Sequence, residues 1–185
     1  MSNPDDAELA GTYSSDLVSY MMELYPYGSG PDRLPAYKTE LNRLANVYQK
    51  HHHNERVALN YLYGIGLISK YIGGNVAKEM VDIVTRFPHN TEMQMRCADG
   101  LFFLVEGSAD INEIHIAENY IRYVELLQNC FPKNDYLALQ YAQVLQYVHR
   151  KQSFFKKRKT VSELKRLAER YPHVERIVHL YNVTK

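Results

Sequence analysis

Three consecutive histidines, His51 to His53, are the most obvious metal-ligand candidates in the sequence. Ligands on one helix converge on an ion when they are three or four residues apart, so adjacent histidines converge only if a turn wraps around the ion. Asn54 follows them, and helical patterns lie on both sides. We therefore interpret the segment as a polar loop, and the sequence predicts no metal and no other cofactor.

The other candidate groups form no catalytic pattern either. Cys97 lies on an apolar stripe and Cys130 precedes a Phe-Pro pair, so we expect both thiols in the core. Gly64 and Gly66 lie inside a helical pattern, which favours close helix packing over phosphate binding. No fingerprint of a nucleophilic serine, a P-loop or a dinucleotide site is present. The sequence therefore predicts a protein that is not an enzyme. The acidic candidates are all expected at exposed helix positions: Glu23, Glu40, Glu79, Glu118 and Glu125.

Tyrosine is unusually frequent, with 16 residues against no tryptophan. Tyrosine offers a large contact area, few torsions and a hydroxyl group, which suits peptide recognition. An alternative is that the rings simply pack between helices with their hydroxyls at the rim. The candidates for a partner-binding groove come from two helical segments and are Tyr61, Tyr63, Tyr71, Tyr136, Tyr141 and Tyr147.

Residues 150–159, RKQSFFKKRK, form the strongest local charge signal, since six of the ten are basic. Such a segment attracts phosphates, acidic peptides or an anionic membrane surface, and its two phenylalanines could stack on bases. The alternative is a solvated loop whose Phe pair plugs the joint between helices. The candidate basic residues are Arg150, Lys151, Lys156, Lys157, Arg158, Lys159, Lys165 and Arg166.

The length and composition fit one globular domain. A chain of 185 residues, 45% hydrophobic and 23% charged, can bury a core without disulfides or metals. We expect an acidic mobile tail over residues 1–13 and a single helical domain over residues 14–185. No signal sequence or membrane-spanning run is evident, so we expect a cytoplasmic protein. Residues 146–185 contain eleven basic and three acidic residues, whereas the whole chain has a net charge of +1.

The apolar periodicity is helical almost throughout, and no sustained alternation typical of strands is present. Gly and Pro clusters, together with capping boxes at Asp110/Glu113 and Thr160/Glu163, suggest the boundaries. The sequence predicts an all-α fold with about nine helices, over residues 14–25, 34–50, 55–71, 75–87, 90–106, 111–131, 134–151, 161–171 and 173–183.

Three segments repeat one pattern, and they begin at Val81, Val124 and Leu164. Each has an amphipathic helix, an aromatic-Pro turn and a more uniformly apolar helix. Proline ends the first helix, and we expect the aromatic residue before it to be buried in the joint. The aromatic-Pro pairs are Phe87-Pro88, Phe131-Pro132 and Tyr171-Pro172. A degenerate copy over residues 41–68 has Tyr48 in the aromatic place and residues 51–54 in the turn. Such hairpins stack into a solenoid, or αα-superhelix, because none can bury its apolar face alone.

The repeats resemble the tetratricopeptide-like superfamily of αα-hairpin repeats over residues 81–182. The turns FPHN and FPKN are similar to the family's Pro-Asn junction, and Ala98 and Ala142 provide its small residue ten positions after Pro88 and Pro132. The repeats here are longer than the family's, and Tyr120 stands where the family has a small residue.

The resemblance implies a scaffold that binds a protein or peptide partner, and the tyrosines would line its groove. The alternative is a nucleic-acid-binding or anion-binding helical protein that uses residues 150–159. Self-association is a further expectation, because the acidic N-terminal part could pair with the basic segment of a neighbouring molecule.

Overall fold

A computed structural model of the chain describes residues 7–24, 34–72, 76–110 and 114–185, apart from a few side chains that include those of Tyr71 and Phe154. Within these ranges the fold is all-α, as predicted, and no residue belongs to a strand. None of the helices in these ranges is long and apolar enough to cross a membrane. The helices are α1 (Ala7–Leu24), α2 (Leu34–Lys50), α3 (Glu55–Ile72), α4 (Val76–Arg86), α5 (Thr91–Asp110), α6 (Ile114–Cys130), α7 (Asp135–His149), α8 (Phe154–Arg170) and α9 (Glu175–Thr184).

The helices form four hairpins, each with a first helix (α2, α4, α6 or α8) and a second helix (α3, α5, α7 or α9). The second helices pack side by side in one row, and α1 packs on α3 at the start of that row. Each first helix lies between two members of the row, so that α6, for example, packs on both α5 and α7. This arrangement is the stack of helical hairpins that the sequence predicted.

The same four-residue turn joins the helices of every hairpin. The turns are residues 51–54, 87–90, 131–134 and 171–174, and in each the fourth amide donates to the first carbonyl over 2.8–3.0 Å. The turns begin 36, 44 and 40 residues apart. The degenerate first copy is therefore a true structural repeat. His51, rather than Tyr48, occupies the place of the aromatic residue.

Asparagine ends three of the four turns and caps the helix that follows. Asn54 Oδ1 accepts from the amides of Arg56 and Val57, and Asn90 Oδ1 accepts from the amide of Met93 over 2.8 Å. Asn134 does the same for two amides of α7. A capped start satisfies donors that the first helical turn leaves without partners. The cap therefore gives these second helices a defined first residue.

The aromatic residues at the turns are less buried than predicted. Phe87 and Phe131 are only half-buried, although both pack against the core. Tyr171 is buried, and its hydroxyl accepts from Gln128 Nε2 and donates to the Pro132 carbonyl, each over 2.7 Å. The prediction of full burial was thus right for Tyr171 and wrong for both phenylalanines, which lie at the open edge of their joints.

Small residues let neighbouring helices approach closely in the core. A Cβ atom added at Gly64 would lie 2.7 Å from the Leu44 side chain of α2. One added at Gly100 would collide with the Met80 side chain and lie 3.4 Å from Gly66 Cα. The packing role predicted for Gly64 is confirmed, because a side chain there would displace Leu44. A Cβ atom added at Gly66 would meet nothing within 4 Å, so the close approach of α3 and α5 requires glycine at Gly100 and not at Gly66.

Three predicted helix boundaries were wrong. Helix α1 begins at Ala7, so residues 7–13 belong to a packed helix and not to the expected tail; Ala10 is only 5% exposed. Helix α5 continues through Gly107 to Asp110, beyond its predicted end at residue 106, and the capping box proposed at Asp110/Glu113 lies outside the described residues. Helix α8 begins at Phe154 and not at residue 161, because Lys and Arg favour helices and no Gly or Pro intervenes.

The predicted burial was also wrong for one of the two cysteines and for several glutamates. Cys97 is buried as expected, and burial raises the pKa of its thiol, but Cys130 is exposed at the end of α6. Glu40 is buried rather than exposed, and its carboxylate pairs with Arg43 over 3.1 Å. Glu79, Glu118 and Glu125 are half-buried, since they face the gaps between first helices.

We expect the turn asparagines to be essential to the stack. Asn134 caps α7 and also donates from Nδ2 to Gln94 Oε1 of α5 over 2.8 Å. Asn134→Ala should therefore lower the free energy of unfolding by about 1–2 kcal/mol. Denaturant unfolding measures this change. As a matched control, Asn42→Ala on the exposed side of α2 should change stability by less than about 0.5 kcal/mol. Equal effects of the two substitutions would contradict the role of the cap.

Candidate functional site

The helices of the row share one register when their residues are counted from the first position of each helix. Position 1 is Ala7 in α1, Glu55 in α3, Thr91 in α5 and Asp135 in α7. Positions 4, 8 and 11 are buried in all four helices. The same helical face therefore meets the next hairpin in every repeat.

Side chains at position 6 contact position 9 of the preceding helix in the row. Asn60 Nδ2 donates to Ser15 Oγ over 3.0 Å. The Arg96 guanidinium lies 4.6 Å from the centre of the Tyr63 ring. Gln140 Nε2 donates to Asp99 Oδ1 over 3.1 Å, and the Tyr136 hydroxyl at position 2 donates to the same oxygen. Each contact joins two helices of the row and limits the sliding of one past the other.

These contacts lie on an open face, which we name the ladder face. It consists of positions 2, 6, 9 and 13 of α3, α5 and α7, and every member is half-buried or exposed. Burial and the hydrogen bond to Asp99 raise the pKa of Tyr136, so its hydroxyl remains a donor at neutral pH. The members are Arg56, Asn60, Tyr63, Leu67, Glu92, Arg96, Asp99, Phe103, Tyr136, Gln140, Gln143 and Tyr147.

One edge of the ladder face is apolar. Position 13 is Leu67, Phe103 and Tyr147 in successive helices, and the Phe103 side chain is 45% exposed. Phe102 lies beside it, with its ring centre 6.3 Å from that of Tyr147, and Lys151 Nζ lies 5.4 Å from the Tyr147 ring centre. This edge offers aromatic surface to an apolar side chain, whereas the centre of the face offers amide and hydroxyl groups.

The six predicted groove tyrosines divide into two groups. Tyr63, Tyr136 and Tyr147 are on the ladder face. Tyr61 and Tyr141 are buried, which corrects their assignment to an open groove and agrees with the packing alternative. The side chain of Tyr71 lies outside the described residues.

Tyr61 illustrates the packing role. Its ring stacks on Tyr48 with centres 4.9 Å apart, and its hydroxyl donates to Glu79 Oε1 over 2.8 Å. Burial, and then the bond to Glu79, raise the pKa of Tyr61, so this hydroxyl stays protonated and satisfied inside the stack.

The basic segment is mostly helical and not a loop. Arg150 and Lys151 are exposed in the turn before α8, and the residues from Phe154 onward belong to that helix. The Phe155 side chain is 81% exposed, so it does not plug the joint as expected; nothing is described for Phe154. Thr160 is buried and donates to Gln152 Oε1 over 2.7 Å, in place of the predicted capping box.

Nearby carboxylates neutralise several of the basic candidates. Lys156 pairs with Glu118 of α6 over 2.6 Å, while Arg166 pairs with Glu163 over 2.8 Å and Lys165 with Glu169 over 3.6 Å. Burial, with a smaller effect of the Lys157 charge, lowers the pKa of His149. Lys157 is half-buried, whereas Arg158 and Lys159 are exposed.

A groove of about 380 Å³ separates α6 from α8 above α7. Its charged lining is balanced between the carboxylates of Glu118, Glu125 and Glu163 and the cations of Arg122, Lys156 and Lys159. A balanced lining does not concentrate anions as a purely basic one does.

The histidine segment forms the turn 51–54, as interpreted from the sequence, with the rings of His52 and His53 3.8 Å apart. Among the described residues, no three His, Cys, Asp or Glu side chains are grouped so as to hold a metal ion. Comparison of the chain with protein-family models, curated proteins and solved structures found no match.

Only Tyr63, Tyr136 and Tyr147 of the ladder face were predicted from the sequence. The members that were missed are Arg56, Asn60, Leu67, Glu92, Arg96, Asp99, Phe103, Gln140 and Gln143. A usable signal was present, because aligning the second helices on their turns places Tyr63 and Asp99 at one position. The contacts between helices also depend on the register of the row, which the sequence pattern alone does not define.

We expect Asp99 and Tyr136 to be energetically coupled across α5 and α7. Asp99→Ala and Tyr136→Phe each remove one partner of their hydrogen bond. A double-mutant cycle on unfolding free energy should therefore give a coupling of at least about 0.5 kcal/mol. The control cycle pairs Asp99→Ala with Tyr181→Phe on α9, and should be additive within that margin. Additivity in both cycles would show that the contact contributes nothing to the stack.

Proposed function

We propose that the protein is a non-enzymatic helical-repeat scaffold whose ladder face binds a protein or peptide partner. The observation that carries this proposal is the line of partly exposed aromatic and amide side chains across α3, α5 and α7. Contacts between positions 6 and 9 hold these side chains in place before any partner binds. Groups ordered in advance cost less conformational entropy on binding.

The chemistry of the ladder face suggests how a partner segment would be recognised. An apolar partner side chain would lie against Phe103 and Tyr147 at the apolar edge. The amide of Gln143 would exchange hydrogen bonds with the partner's backbone or polar groups. Asn60 would accept through Oδ1, because its Nδ2 already donates to Ser14 and Ser15. The cations Arg56 and Arg96 are balanced by the anions Glu92 and Asp99, so the face attracts little through net charge. Binding should therefore depend only weakly on salt.

Nucleic-acid or anion binding through residues 150–159 is the alternative function, and it has less support. Within this segment Lys156 has a carboxylate partner within 4 Å, and so do the neighbouring basic candidates Lys165 and Arg166, so these three offer less free charge than the sequence suggested. The exposed Phe155 favours this alternative, since an aromatic ring beside cations can stack on a base.

We expect a double substitution on the apolar edge to abolish partner binding. Proteins from the native source would be captured, after nuclease treatment, on three forms of the protein. These are wild type, the double variant Phe103→Ser/Tyr147→Ser and the control Leu126→Ser. Leu126 is an equally exposed apolar side chain on α6, 47% exposed. Proteins retained by wild type and the control but lost from the double variant are the expected partners. The purified partner should then bind the double variant at least about tenfold more weakly.

Retention of the same proteins by all three forms would contradict the proposed site. Changing Lys156, Lys157, Arg158 and Lys159 to Gln tests the alternative in the same assay. If that variant alone loses binding to nucleic acid, and if affinity for nucleic acid falls steeply as salt rises, the alternative is correct.

A further inference from the structure

Helix α1 exposes an apolar stripe that α3, α5 and α7 keep buried. Positions 3, 7 and 14 are Val57, Tyr61 and Ile68 in α3, and all three are buried. The equivalent residues in α5 and α7 are buried as well. In α1 these positions are Leu9, Tyr13 and Tyr20, whose side chains are 41%, 47% and 49% exposed.

The repeat geometry explains this exposure. In each hairpin the first helix covers one face of the second helix, while the next hairpin covers another. The next hairpin, α2 with α3, packs on α1 in the same way and buries Ala10, Leu17 and Met21. Among the described helices α1 packs mainly on α2 and α3, and the exposure of Leu9, Tyr13 and Tyr20 shows that neither helix covers the stripe.

The charge of α1 defines the kind of helix that would fit. Asp16 occupies position 10 of the stripe, where α3 and α5 have glycine. A purely apolar helix placed there would bury this carboxylate without a partner, which is costly. Helix α1 also carries Glu8 and Glu23 and has no Lys or Arg. A complementary helix must therefore provide basic residues beside its apolar ones.

We propose that the stripe of α1 binds a basic amphipathic α-helix of a partner protein, which lies on α1 as a first helix lies on α3, α5 and α7. Apolar side chains of that helix pack on Leu9, Tyr13 and Tyr20, and a Lys or Arg pairs with Asp16. Recognition of an amphipathic helix by an apolar stripe is a common mode of partner binding. This surface is separate from the ladder face, so the two proposals can fail independently.

The chain's own α8 provides a suitable probe peptide. It is a first helix with seven basic and two acidic residues, and it has an apolar side when removed from the fold. A fluorescent peptide of residues 153–171 would be titrated with the full-length protein and followed by anisotropy. A second peptide, with residues 156–159 changed to Glu, controls for charge.

We expect saturable binding of the basic peptide and at least about tenfold weaker binding of the acidic one. Leu9→Ser/Tyr13→Ser should weaken binding by at least about tenfold, and Asp16→Asn should weaken it and reduce its salt dependence. Met22→Ser is the matched control, since Met22 is 46% exposed on α1 but lies off the stripe, and it should bind like wild type. These positions are at the surface, so thermal melts should confirm that every variant is folded.

The same affinity for all variants, or no saturation of the wild type, would overturn the proposal. Sedimentation of the protein alone provides a second test. Suppose that the protein self-associates, and that Leu9→Ser/Tyr13→Ser abolishes this association but the basic peptide does not displace it. That result would show that a second copy of the chain, and not a basic helix, covers the stripe.

Discussion

The asparagine at the end of a turn is the constraint on which the rest of the stack depends. Its side-chain oxygen starts a second helix, while its amide nitrogen reaches the preceding helix of the row. Asn54 Nδ2 donates to the Ala7 carbonyl over 2.7 Å, and Asn90 Nδ2 donates to Glu55 Oε1 over 2.6 Å. In the last turn Val174 lacks this group, and His173 contacts Asp135 over 2.9 Å instead. In α3, α5 and α7, one residue thus links the start of the helix to the position of the preceding helix in the row.

A fixed register turns similar helices into a continuous surface. Because each second helix begins at an equivalent residue, positions 6 and 9 meet between helices regardless of the lengths of the first helices and loops. This explains how repeats of unequal length, separated by 36, 44 and 40 residues, still produce one ladder face. It also explains the exposure of Tyr13. Tyr13, Tyr61 and Tyr141 all occupy position 7, but a first helix covers this position in α3 and α7 and not in α1.

The sequence predicted the all-α fold and the repeated hairpins because proline, asparagine and apolar periodicity act locally. It failed where tertiary contacts decide the outcome. The acidic N-terminal residues looked like a tail, yet α3 and α2 pack on Ala10 and Met21 of α1. The basic run looked like a loop, yet its residues favour a helix that pairs with Glu118 of α6.

The candidate site was only partly predictable for the same reason. In α3 and α7 the tyrosine at position 7 is buried, whereas the tyrosines at positions 2, 9 and 13 are half-buried, and composition does not distinguish the two groups. Asp99 and Gln140 carried no signal of their own, since their role arises from contact with each other and with Tyr136. Only the register of the row identifies the face on which a residue lies.

The nuclear Overhauser spectrum of the protein in solution tests that register most directly. We expect cross-peaks from the Tyr63 ring to the Arg96 side chain, and from the Tyr136 ring to Gln140 and to the β protons of Asp99. We also expect contact between the Asn60 side-chain amide and Ser15. Cross-peaks that pair these residues with positions one helical turn away, or the absence of any contact between α3 and α5 at these positions, would contradict the shared register.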